Sequence, residues 1–128
     1  MRGWAVGQLL EPVELLVDAA VVAAYAEVAR DQNPLHFSDT AARALGFPAA
    51  IAHGMISGAL IMRMLTRELG WGTERTGRLT LRFVAPVLVD QRVRTEGVVT
   101  AVAPLRIDVA ARTHEGVVVI TGTAELRG

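Results

Sequence analysis

Cysteine is absent from this sequence, and so is lysine. The first absence excludes disulfides, thiol nucleophiles and zinc-thiolate sites, and makes a cytoplasmic setting the expectation. The second means that all 13 basic residues are arginines, which removes Schiff-base catalysis and the phosphate-loop lysine. Net charge is missing as well, because 13 basic and 13 acidic side chains cancel. No field then draws the chain to nucleic acid or to an anionic membrane, and neither is an expected partner. No stretch reaches the roughly 18 uninterrupted apolar residues of a spanning helix, so a soluble protein is expected. Repeats, low-complexity stretches and Pro/Gly/Ser linkers are also lacking, which leaves residues 1–128 as one domain. What the chain does have is apolar surface: 52% of it is hydrophobic, enough for a substantial core.

Along the chain, Gln8 to Val17 reads as a first strand with an irregularity at Pro12. Asp18 caps a helix whose stripe is Val21, Val22, Tyr25, Val28 and Ala29. Asn33-Pro34 stops helical geometry, so Asp31 to His36 is a turn. Ser38 caps a short helix, Asp39 to Leu45, closed by Gly46. The segment His53 to Leu69 is apolar nearly all round in its first half, the mark of a buried helix. From Arg78 the period changes to two. Strands are expected from Arg78 to the break at Pro86, over Gln91 to Val102 with a possible bulge at Gly97, over Leu105 to Thr113, and over Val117 to Leu126 after a turn at His114-Glu115-Gly116. A curved antiparallel sheet must cover its apolar face, and the one long apolar helix is His53 to Leu69. The expected fold is therefore α+β, a sheet wrapped around a central helix in the hotdog arrangement. Its open edges predict a homodimer or higher oligomer.

Chemistry concentrates in Asp31-Gln32-Asn33-Pro34-Leu35-His36 and in Ile51-Ala52-His53-Gly54-Met55. Taken alone, the first is also an ordinary turn. Together with Tyr25-Ala26 and Gly46-Phe47, the two stretches resemble the MaoC-like dehydratases, which include the (R)-specific enoyl-CoA hydratases and the hydroxyacyl-carrier-protein dehydratase subunits. The resemblance implies that Asp31 and His36 form the catalytic pair and that the amide of Gly54 serves as oxyanion donor. It also implies an acyl thioester substrate on coenzyme A or on the phosphopantetheine of acyl carrier protein, with no separate cofactor, and it allows a heterodimer of unlike subunits. Two positions depart from the family pattern: Arg30 replaces a small residue and Ser38 replaces an Asp.

The residue types make chemical sense on their own terms. Hydrating an enoyl thioester needs a base for water and an acid for the α carbon, and a carboxylate beside an imidazole supplies both. Charge then grows on the thioester oxygen, which a helix-terminal amide stabilises. Asn33 is expected to shape the turn or touch substrate, and His53 to support the helix start. Met55, Leu60 and Met62 are candidates to line an acyl tunnel. Arg78 and Arg82 share a strand face that is either exposed or phosphate-binding. Ser57 lacks the flanking glycine of a nucleophile elbow and lies within a helix, which excludes a serine hydrolase of that kind. His36, His53 and Asp31 show no recognised ligand spacing, so no metal is expected. The alternatives are a hotdog thioesterase, which the same fold supports, and a noncatalytic partner subunit.

Overall fold

Strict alternation is what builds the sheet. From Leu105 to Thr113 every second residue is buried, while Arg106, Asp108 and Arg112 face water. In the computed structural model, which describes residues 3–70 and 76–127, five antiparallel strands run in the order β1-β3-β4-β5-β2. They are β1 (Glu14–Val17), β2 (Thr76–Phe83), β3 (Gln91–Val102), β4 (Leu105–Thr113) and β5 (Val118–Arg127). Between the first two lie α1 (Ala19–Ala29), a 3-10 turn (Pro34–His36), α2 (Asp39–Ala44) and α3 (Gly54–Leu69).

The long helix α3 lies on the concave face. Ile56, Leu60, Ile61, Met64, Leu65 and Leu69 are buried against Val93, Val99, Ile107, Val109 and Ile120 of the sheet. Each such side chain contributes about 1.5–3 kcal/mol on burial, so this contact dominates the core. Gly70, at φ 68°, ends the helix in the left-handed conformation that glycine adopts without penalty. This is the α+β hotdog arrangement expected from the sequence. No helix among the described residues is long and apolar enough to cross a membrane.

Several element bounds and one irregularity differ from the sequence reading. The first strand is only Glu14–Val17. Pro12 has no N–H to give a ladder, and the amide of Val13 donates to the Thr95 hydroxyl at 2.8 Å. Upstream of it, an isolated bridge joins Leu9 to Val98, and the Gly7 amide donates to Val99 O at 2.8 Å. The irregularity in β3 falls between Val99 and Ala101, not at Gly97, which pairs regularly with Val109. Gly97 is there for space: a β carbon would lie 3.1 Å from Met64 Cε and 3.3 Å from Leu10. Finally, α3 begins at Gly54 with His53 as its N-cap, and β5 begins at Val118 rather than Val117.

Candidate active site

The geometry of the bend comes from short-range bonds. Arg30 closes α1 in the left-handed region, at φ 55° and ψ 41°, and the amide of Asp31 then donates to Ala26 O at 3.0 Å. Asp31 Oδ1 accepts from the Asn33 amide at 3.2 Å, and Asn33 Oδ1 accepts from the Leu35 amide at 3.1 Å. These Asx bonds and the fixed φ of Pro34 wind Pro34–His36 into one 3-10 turn. Asn33 therefore shapes the turn. The result sets Asp31 Oδ2 3.6 Å from His36 Nε2.

Both histidines of the site are buried, whereas the Asp31 side chain is 49% exposed. His36 Nδ1 lies 2.7 Å from the carbonyl oxygen of Ile51. A carbonyl only accepts, so Nδ1 carries a proton and Nε2 is the ring nitrogen turned towards Asp31. His53 Nε2 lies 3.0 Å from the backbone oxygen of Asp31 and donates to it by the same reasoning. The two imidazoles stack with centroids 3.6 Å apart, and Tyr25 packs at 4.9 Å on His53. His53 thus ties the Asp31 backbone to the start of α3 and backs the His36 ring. Its Nδ1 is buried without a partner.

Gly54 is the first residue of α3, so its N–H has no intrahelical acceptor and stands at the positive end of the helix dipole. It lines a cavity of about 370 Å³ together with Phe47, Ile51, Ser57, Phe83 and Ile120. Asp31 and His36 are not in that wall. They adjoin it across the segment 51–54: Ile51, whose carbonyl holds His36, and Gly54, which follows His53, both belong to the wall. The Cβ that Gly54 lacks would sit 3.1 Å from Phe83 Cδ1, so glycine keeps the mouth open.

Several candidates from the sequence lie elsewhere. Leu60 is buried in the core, Met55 and Met62 are part-exposed, and none of the three lines the cavity. Phe47 and Phe83 do, although alternation alone gave no sign that Phe83 would lie at a helix mouth. Arg78 and Arg82 alternate with Leu79, Leu81 and Phe83, so they face away from α3. Ser38 caps α2 by accepting from the Ala41 amide at 3.1 Å, so the helix keeps its cap without the family's Asp. Asp31, His36 and His53 do bring one potential ligand atom each within 4.8 Å, a cluster that linear spacing did not announce. Its donor set suits a metal poorly, because His53 Nε2 already holds a proton against the Asp31 carbonyl.

Comparison with known proteins agrees with this architecture. Residues 5–120 match the MaoC like domain. The (R)-specific enoyl-CoA hydratase of Aeromonas caviae is 34% identical over 114 residues, covering 85% of this chain and 84% of that protein. The fatty acid synthase beta subunit TOXC of Cochliobolus carbonum is 35% identical over 107 residues, which are 80% of this chain but only 5% of TOXC. Among solved structures, an (R)-hydratase from A. caviae involved in PHA biosynthesis superposes with a TM-score of 0.86 at 30% identity, over 99% of this chain and 98% of that one. The chain belongs to the MaoC-like family.

Proposed function

We propose that this protein reversibly adds water to the double bond of 2-enoyl thioesters, giving (R)-3-hydroxyacyl thioesters. The observation that carries the reading is the pairing of Asp31 with His36, whose Nε2 faces the carboxylate at 3.6 Å. That distance is too long for a direct hydrogen bond but suits two acceptors sharing one water at about 2.8 Å from each. The pair takes one proton from that water as its oxygen attacks the β carbon, and returns one proton to the α carbon. The site therefore ends as it began. The Gly54 amide stabilises the charge that develops on the thioester oxygen, and the apolar cavity beside it receives the acyl group. Asn33 and His53 hold the pair in place. The reading needs no metal and no cofactor beyond the coenzyme A or acyl-carrier phosphopantetheine that the substrate brings. The similarity to a named (R)-specific enoyl-CoA hydratase over most of both chains supports it.

A second copy of the chain is part of the reading. Strand β2 is a sheet edge, and Phe83 and Val84 at its end are 50% and 48% exposed. A dimer would cover this surface, and a monomeric mass by light scattering would contradict it.

The test of function is to follow the conjugated-thioester absorbance while purified protein is incubated with crotonyl-CoA and longer enoyl-CoAs. Loss of absorbance without release of free thiol is the expected result. Thiol release would indicate a thioesterase instead, and a flat trace at every chain length from folded protein would sink the reading.

A further inference from the structure

The cavity beside Gly54 is walled by apolar side chains except at one place. Ser57 lines it, is 2% exposed, and makes no hydrogen bond through its hydroxyl to any described residue. The expected fate of a serine inside a helix is a bond back to the carbonyl four residues earlier. Here the carbonyl of His53 accepts instead from the Ile56 amide at 3.1 Å. Nor is the Ser57 oxygen sealed in the core: among the described residues, His53 Nδ1 is the one fully buried side-chain atom without a partner. The hydroxyl therefore opens onto the cavity. Within the protein such a group gains no partner for its burial, and alanine would fill the position without a polar atom to satisfy.

Its place on the helix says what it can reach. Gly54 and Ser57 are three residues apart, hence on one face of α3. The Ser57 side chain leans towards the helix N-terminus, over the Gly54 turn. Side chains so spaced are about 5–6 Å apart. One carbonyl oxygen accepting two bonds of about 2.9 Å along lone pairs roughly 120° apart bridges donors about 5 Å apart. We propose that the Ser57 hydroxyl is a second donor to the thioester oxygen, acting with the Gly54 amide. It keeps its own proton throughout; the transferred protons move between water, the Asp31–His36 pair and the α carbon. The inference rests on the hydratase reading and makes Ser57 a catalytic residue, in the role of a hydrogen-bond donor.

The test compares wild type, Ser57→Ala and Ser57→Thr in the hydration of crotonyl-CoA, with thermal melts as the folding control. Ser57→Ala should lower kcat about 100-fold with KM little changed, as for loss of one oxyanion donor, while its melting temperature holds or rises. Ser57→Thr, which keeps a hydroxyl, should restore most of the rate. In an Asp31→Asn background that retains bound enoyl thioester, adding Ser57→Ala should move the vibrational stretch of the thioester carbonyl to higher frequency. A wild-type kcat in Ser57→Ala, or an unmoved carbonyl stretch, overturns the proposal. If wild type itself shows no hydration, the hydratase reading has failed and Ser57 falls with it; an active wild type with an equally active alanine variant sinks the Ser57 role alone.

Discussion

In the bend at Asp31–His36, side chains bond to amides two residues away; at the mouth of α3, the bonds that matter span 15 residues from His36 to Ile51 and 22 from His53 to Asp31. The two regions also differ in exposure: the Asp31 carboxylate is half open to water, while His36, His53 and Ser57 are buried. The bend can take its shape from local chemistry alone. The orientation of its imidazole cannot, because the tautomer and tilt of His36 are set by a carbonyl and a ring that arrive from the segment 51–54. A site assembled in this way should separate chemistry from stability, with the exposed half carrying more of the first and the buried half sharing in both.

The sharpest way to break that contrast is at the bend. Asp31→Asn or His36→Ala should lower the hydration rate about 100- to 10,000-fold, the range for lost acid–base catalysis. Asp31→Asn should melt close to wild type, since among the described residues the one hydrogen bond the carboxylate accepts is the exposed Asn33 amide, which an asparagine oxygen also accepts. A large fall in its melting temperature would mean that the bend also holds the fold together.

Gly54→Pro tests the other region. Proline is tolerated at the first position of a helix, and His53, at φ −63° and ψ 132°, already has the backbone that precedes proline. The substitution deletes the amide hydrogen while α3 persists, although Phe83 must give way to the ring. Steady-state kinetics should show a loss of about 100- to 1,000-fold. Retained activity would remove Gly54 from the mechanism.

His53→Ala should have a mixed effect. It strips the donor from the Asp31 carbonyl and the ring that backs His36, so a destabilisation of about 1–3 kcal/mol is expected by denaturant titration, with a smaller loss of rate than at Asp31. If the rate fell as far as in Asp31→Asn, His53 would be taking part in proton transfer. The smallest effect is expected at Arg30, whose side chain is exposed and whose left-handed backbone suits glycine better. Arg30→Gly should raise stability by about 1 kcal/mol and leave kcat unchanged. A changed kcat would show that the guanidinium acts on the neighbouring carboxylate.

Much of the fold was legible because its elements announce themselves locally. Period-two burial over Leu105–Thr113, the apolar run of α3 and the caps at Asp18 and Ser38 are properties of short windows. The first strand was overread because β1 depends on what its amides meet, and Val13 meets a side chain from β3. Gly97 was misread as a bulge for a similar reason: the methionine that needs its space lies 33 residues earlier, on another element.

By itself, then, the sequence determined the elements, the bend and the residue types of the Asp31–His36 pair, since turns, caps and alternation are set by neighbours along the chain. Only the tertiary structure decided which nitrogen of His36 faces Asp31, that His53 stacks behind it, that Phe47 and Phe83 rather than the methionines of α3 wall the cavity, and that Ser57 opens onto it. Those outcomes depend on which long-range partner occupies each hydrogen-bonding group and each packing space, and no local pattern in the chain records that.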